Sequence, residues 1–173
     1  MVKQCRIKNG RGKKTTFIIV DAQSVKNSNT AHVKGYDAGK KVSGIKRHIA
    51  VDTQGLPHAI SVTAANLTDR AGALEMIEKK HEALSDVENV LVDGGYTGEP
   101  FRTAVFELIK SPVEVVKRNE LHTFKVLPKR WVVERSFSWI DKSKRLWKNC
   151  ERLLISSIAM ILLAFIQILI KRF

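Results

Sequence analysis

Apolar residues along the chain alternate between short unbroken runs and helically spaced stretches. Phe17–Val20 reads FIIV and stops at Asp21; Val90–Val92 reads VLV and stops at Asp93. Runs of this length, bounded by polar or glycine residues, predict strands buried on both faces. Lys46–Val51 and Ala59–Thr63 flank Asp52-Thr53-Gln54-Gly55, a turn sequence, and together predict a β-hairpin. Asn66 to Asp69 supplies capping residues, and Arg70–Leu84 follows with helical spacing that sets Ala73, Ile77 and Leu84 near one face. Phe101–Ile109 predicts a helix and Val113–Val116 a further strand. Pro128 opens Lys129–Trp147, a second long helical stretch anchored by Trp131, Phe137, Ile140 and Trp147. Asn27–Gly39, rich in Ser, Asn, Thr, Gly and Lys, predicts a loop. The resulting order is strand, hairpin, helix, strand, helix, strand, helix, helix, which is an α/β chain with a mixed sheet.

Two ends of the chain complicate this picture. Residues 1–16 form a basic lead-in without apolar periodicity, and residues 151–173 contain the nearly all-apolar stretch Leu153–Ile170. That stretch approaches the length of a bilayer span. Ser156, Ser157 and Gln167 interrupt it, however, and a helix apolar all round is also what a core helix looks like. We expect a terminal helix packed on the domain or on a partner, no membrane, and a cytoplasmic chain; Met1–Lys14 has no apolar core of a signal peptide. A basic membrane-anchored protein is the alternative that this segment alone would allow. Cys5 and Cys150, the only cysteines, offer neither metal-ligand spacing nor a disulfide framework.

With 173 residues and 44% hydrophobic content, the chain suffices for one domain with a real core. Charge then points to a partner. Thirty Lys and Arg against seventeen Asp and Glu leave +13, and an excess of this size favours a polyanion, most commonly nucleic acid. The basic residues cluster at Lys3–Lys14, at Lys34–Arg47 and at Lys142–Lys148. The bland alternative is a solvated basic surface.

Asp21 and Asp93 each follow a short apolar strand, where α/β folds place ligand-binding groups; a turn or cap role is the ordinary alternative for each. Glu134 lies four residues after Arg130, on one helical face continued by Ser138, Asp141 and Arg145, and could be only a surface ion pair. Three carboxylates from three elements in a basic chain suit phosphodiester chemistry, because hard oxygen ligands bind Mg²⁺ and paired metals serve both the attacking and the leaving oxygen. Asp52 reads instead as a hairpin-turn residue, Asp69 as a helix-cap residue, and His48 and His58 as strand residues.

The ordered stretches DAQSVK at Asp21, GYDAGKKVSGIKRHIAVDTQGLP from Gly35, AANLTDRAGA from Ala64, LVDGGYTG at Asp93 and LPKRWVVERSFSWIDKSKRL from Leu127 resemble the DDE transposases of bacterial insertion sequences, in the group numbered five. The resemblance covers Phe17 to the C-terminus. It implies a ribonuclease-H-like mixed β-sheet flanked by helices over residues 17–150. Asp21, Asp93 and Glu134 would be the catalytic, metal-binding carboxylates, with Mg²⁺ or Mn²⁺ as cofactor. It also implies metal-dependent cleavage and strand transfer of an insertion sequence, acting on double-stranded DNA at transposon ends and target, as a homo-oligomer on DNA. Arg130 matches an arginine preceding the glutamate by four. Tyr36, Lys40, Lys41, Lys46, Arg47, Arg130, Lys142 and Arg145 are the expected DNA contacts. Two departures from the pattern stand out. Some relatives carry a lysine seven positions after the glutamate, whereas this chain has Asp141 followed by Lys142. Full-length relatives also carry a largely helical N-terminal region before the first aspartate, so a separate N-terminal transposase polypeptide is an expected partner. The rival reading is a catalytically inactive, truncated remnant that only binds DNA.

Overall fold

The computed structural model describes residues 1–116 and 130–172. The elements run α1 (Val2–Lys8), β1 (Phe17–Lys26), β2 (Gly35–Asp37), β3 (Val42–Val51), β4 (Pro57–Ala64), α2 (Asp69–Lys79), β5 (Asn89–Asp93), α3 (Glu99–Ile109), β6 (Val113–Val116), α4 (Arg130–Asp141) and α5 (Leu154–Ile170). Single 3₁₀ turns at His81–Leu84 and Gly94–Tyr96 follow α2 and β5. The six strands form one mixed sheet in which β3 pairs antiparallel with β1, β2 and β4, while β1, β5 and β6 run parallel.

Strand parity sorts the side chains into two cores. Ile18 and Val20 of β1, with Val90 and Val92 of β5, face α2 and α3; Met76, Ile77, Phe101 and Val105 complete that layer. Ile19 and Leu91 face the other way, against Val132, Val133, Phe137 and Ile140 of α4 and Ile161 and Phe165 of α5. Helices on both faces explain why FIIV and VLV are continuous apolar runs rather than alternating ones. Beyond Val20 the neighbour on one side disappears. The β1–β5 register ends at Ile19↔Leu91, whereas the β1–β3 register continues to Lys26↔Gly44. The polar half of β1, DAQSVK, is thus a strand with one partner, and this half was not apparent from hydrophobicity.

Several expectations change. Asp21 lies inside β1 and not after it. The loop Asn27–Gly39 contains β2. The helix expected over Arg70–Leu84 ends at Lys79 and gives way to a 3₁₀ turn. Helix α4 stops at Asp141, so Arg145 does not continue its stripe; the expected opening at Pro128 and Lys129 lies outside the described residues. Phe137 and Ile140 are buried as expected, but Trp131 and Trp147 are exposed. Trp131 is instead covered on one face by the Arg135 guanidinium, 4.5 Å from the ring centre.

The basic lead-in contains α1, held to the β3–β4 turn by an internal ion pair. Arg6 pairs with Asp52, whose side chain is fully buried, and also donates to the carbonyls of Gly12 (2.9 Å) and Lys14 (3.0 Å). Asp52 further accepts from the amides of Gln54 (2.8 Å) and Leu56 (3.1 Å) and meets His58 at 3.3 Å. Helix α5 packs on β4 and α4 through Ser157, Ile161, Ala164, Phe165 and Leu169, leaving Ile155, Leu163 and Ile170 outward. No described helix is long and apolar enough to cross a membrane.

The Arg6–Asp52 pair generates a stability prediction. Burial by itself would raise the Asp52 pKa, but His58, Arg6 and the Leu56 and Gln54 amides outweigh it and hold the group below the ordinary 3.8. A depressed carboxylate stabilises the fold above its unfolded pKa, and that contribution is lost as pH falls through the lower, folded value. Arg6→Ala should therefore cost about 3–5 kcal/mol near pH 7, the usual penalty for stranding a buried charge. The difference from wild type should shrink below pH 4. Urea titrations at pH 7 and pH 3.5 check both parts, and equal losses at the two pH values would refute the electrostatic assignment.

Candidate functional site

The same parity that builds the cores places two acids side by side. Alternate strand residues share a face, so Asp21, two after Ile19, and Asp93, two after Leu91, both point toward α4. Ile19 and Leu91 are register partners, and the two carboxylates emerge one step beyond the end of that pairing. Val133 and Arg130 from α4 close the cleft, which is also lined by Ile19, Val20, Leu91 and Val92.

Local hydrogen bonds fix the two acids. Asp21 accepts from the Ala22 amide at 2.7 Å. Asp93 caps the turn Gly94–Tyr96, accepting from the Gly95 amide at 2.9 Å. Burial pushes the Asp21 carboxyl up to about 6, with the Asp93 charge adding to it and the Ala22 amide, Arg130 and Lys40 opposing. Arg130 lies 3.4 Å from Asp93 and 3.5 Å from Glu134. The guanidinium therefore stands between the second aspartate and the glutamate, whose side chain is 59% exposed. Asp21, Asp93 and Arg130 meet in one cleft; Glu134 reaches it through Arg130. Among the described residues, no three of His, Cys, Asp and Glu converge closely enough to hold a metal ion.

The donor set nevertheless suits a hard divalent cation at Asp21 and Asp93. Two carboxylate oxygens are its preferred ligand type; burial is the main reason the Asp21 pKa is raised, and the neighbouring Asp93 charge adds to it. A third carboxylate ligand would require Glu134 to turn from Arg130.

The expected DNA contacts divide into three groups. Tyr36, Lys41 and Lys142 are exposed. Lys40 donates to the Ala22 carbonyl at 3.0 Å and lies 3.4 Å from Asp69, while Arg145 donates to Glu151 at 2.7 Å. Lys46 and Arg47 are corrections, being only 4% and 1% exposed. Lys46 faces the α2 layer and pairs with Asp69 (2.7 Å) and Asp37 (3.2 Å). Arg47 has the parity of Ile45 and Ile49 and is covered by the end of α4 and the segment after it. It donates to the Leu146 carbonyl at 2.5 Å and pairs with Asp141 at 3.4 Å. Neither faces solvent, so neither is available to a phosphate backbone.

The Arg47 pairing also accounts for Asp141. The aspartate neutralises Arg47 and accepts from Gln23 at 2.7 Å. Asp69, expected as a cap, is the first helical residue instead; the cap is Thr68, which accepts from the Ala71 amide at 3.2 Å. His48 is fully buried against Gly72, where an added Cβ would come within 2.2 Å of the imidazole. Sequence reasoning passed over Tyr96, which is fully buried with a hydroxyl lacking a partner among the described residues. Its place directly after Asp93-Gly94-Gly95 was the available signal.

Against this geometry, residues 12–169 match the family described as the transposase DDE domain. That is most of the chain, and the chain belongs to this family. The relative described as "Putative transposase for insertion sequence element IS402", from Burkholderia cepacia, is 33% identical over 116 residues, covering 63% of this chain and 54% of that protein. The chain thus spans about half the length of the curated relative it matches. Among solved structures, a piggyBac transposase synaptic complex with hairpin DNA aligns at a TM-score of 0.45 and 13% identity, over 62% of this chain and 24% of that one.

The raised Asp21 pKa gives a sign that can be checked. The folded protein holds this proton up to about pH 6 whereas the unfolded chain loses it near 3.8, so ionising Asp21 costs stability as pH rises through that window. Metal-free Asp21→Asn should therefore melt above wild type at pH 8 and match it near pH 4. Thermal melts with chelator at both pH values measure this, and a lower melting temperature for the variant at pH 8 contradicts it.

Proposed function

We propose that this chain is the catalytic portion of an insertion-sequence transposase of the fifth group, with a ribonuclease-H-like fold. On this reading it carries out metal-dependent cleavage and strand transfer on double-stranded DNA. The observation that carries the reading is the convergence of Asp21, Asp93 and Arg130 in one cleft, in a chain of the DDE transposase family with thirty basic residues.

Asp21 and Asp93 would hold Mg²⁺ or Mn²⁺, with Glu134 completing the set. Bound there, the metal supplies activation of the attacking oxygen and charge stabilisation of the leaving one. The protein's own residues supply the rest. The apolar floor of Ile19, Leu91 and Val133 keeps bulk water from the inner side of the cleft. Arg130 presents a guanidinium to the scissile phosphate, a geometry suited to a phosphate's paired oxygens. A water attacks phosphorus and the bond to the 3′-oxygen breaks, leaving a 3′-hydroxyl at the element end and a 5′-phosphate on the other side. That hydroxyl then attacks a target phosphodiester: its oxygen bonds to phosphorus, the target's own bond from phosphorus to the 3′-oxygen breaks, and the displaced oxygen takes up the proton and leaves as a target 3′-hydroxyl.

Tyr36, Lys40, Lys41, Lys142 and Arg145 remain the surface groups for DNA contact. Electrostatic binding through such groups weakens steeply with salt.

One observation favours the second reading, a DNA-binding remnant without catalysis: Glu134 is mostly exposed and engaged by Arg130 rather than facing the two aspartates. A nicking assay on supercoiled DNA with Mg²⁺ separates the readings. Wild type should nick; Asp93→Asn and Glu134→Gln should each lose at least about a hundredfold in rate, in the range seen when a group stabilising transition-state charge is removed. All three should bind DNA in chelator with similar affinity. Undiminished nicking by Asp93→Asn would remove Asp93 from the site, and absence of nicking by wild type with retained binding would count against catalysis by this chain on its own.

A further inference from the structure

The basic cluster between Lys34 and Arg47 splits in two once pairing is considered. Lys40 and Lys46 are tied to Asp69, and Arg47 to Asp141. Lys34 and Lys41 are exposed and have no carboxylate partner among the described residues, and neither does Lys26 at the end of β1. These three lysines converge on a cavity of about 570 Å³. Asn27 and Asn29 line the same cavity, and so does Tyr36 from β2, with more than half its surface exposed. No acidic residue lines it.

This cavity lies beyond the catalytic cleft along the same strand. Lys26 is five positions after Asp21 on β1, an odd step that turns it to the other face of the strand, and the two are separated by about 17 Å at roughly 3.4 Å per strand residue.

We infer that this cavity is a subsite for one unpaired nucleotide of the bound DNA strand. Its phosphates lie against Lys26, Lys34 and Lys41, and its base stacks on Tyr36 within reach of the Asn29 amide. The volume falls in the range of small-ligand pockets, about 300–1,000 Å³, which accommodates a nucleotide but not a duplex. Unpaired lysines answer the phosphates, an exposed aromatic face answers a base of any sequence, and the Asn29 amide can meet its polar edge. A paired base, stacked inside the helix, would not present its face to Tyr36. This assignment rests on the DNA-processing reading but not on catalysis.

The test uses a single-stranded 15-mer with a central 2-aminopurine, in chelator, with anisotropy and base fluorescence read together. Wild type should bind and quench the fluorophore. Tyr36→Phe should retain the quenching and Tyr36→Ala should lose most of it. Lys26→Ala and Lys34→Ala should each weaken binding severalfold and lower the slope of log affinity against log salt by about 0.7, the value for one single-strand phosphate contact. A fully paired duplex carrying the same fluorophore should show no Tyr36-dependent change. Quenching unaltered in Tyr36→Ala, or affinity unaltered in both lysine variants, would overturn the subsite. The same wild-type preparation is assayed for Mg²⁺-dependent nicking: absence of nicking with quenching intact defeats the catalytic reading while supporting the subsite.

Discussion

The arrangement depends on the register between β1 and β5. Ile19 pairs with Leu91, and both point into the core beneath α4 and α5. Because strand side chains repeat every two residues, that pairing commits Asp21 and Asp93 to the same face. A slip of one residue in either strand would turn its aspartate toward α2 and α3 and its apolar neighbours out of their core. The hydrophobic burial that fixes the register and the juxtaposition of the acids are therefore one constraint. The end of the β1–β5 ladder beyond Ile19 opens the space into which the carboxylates project.

Electrostatics around this cleft are arranged in layers. Deep cations are internally neutralised: Arg47 by Asp141, Lys46 by Asp69 and Asp37, Arg6 by Asp52. These pairs sit in the body of the fold, and severing one strands a buried charge. Arg130, by contrast, is shared between Asp93 and Glu134 at 3.4 and 3.5 Å, distances long for tight hydrogen bonds. A shared, loosely held guanidinium thus stands at the mouth of an acidic cleft. The unpaired lysines lie further out. Net charge of +13 thus overstates what one surface offers a polyanion, because several cations are spent on the fold itself.

The strands that carry Asp21 and Asp93 were legible because burial on both faces writes an unbroken apolar run. The hairpin and α3 were legible from turn chemistry and spacing. Other features depended on distant partners. Arg47 reads as a surface cation until Asp141, 94 residues later, is seen to meet it. The second half of β1 is polar because only β3 covers it, and β2 is three residues within a Ser- and Asn-rich segment. Helix α4 ends four residues before Arg145, although the helical pattern runs on. Within the candidate site, the two aspartates followed from strand ends, whereas Glu134 followed only from family resemblance. Its position beside Arg130 fits the spacing of four that also describes an ordinary ion pair.

The central claim, that Asp21 and Asp93 together form a divalent-cation site, is most directly tested by Mn²⁺ binding followed by electron paramagnetic resonance on the protein without DNA. The account predicts a bound-Mn²⁺ signal in wild type that is lost in both Asp21→Asn and Asp93→Asn and persists in Glu75→Gln, a change at a surface carboxylate. Equal Mn²⁺ binding by wild type and the two cleft variants would contradict it.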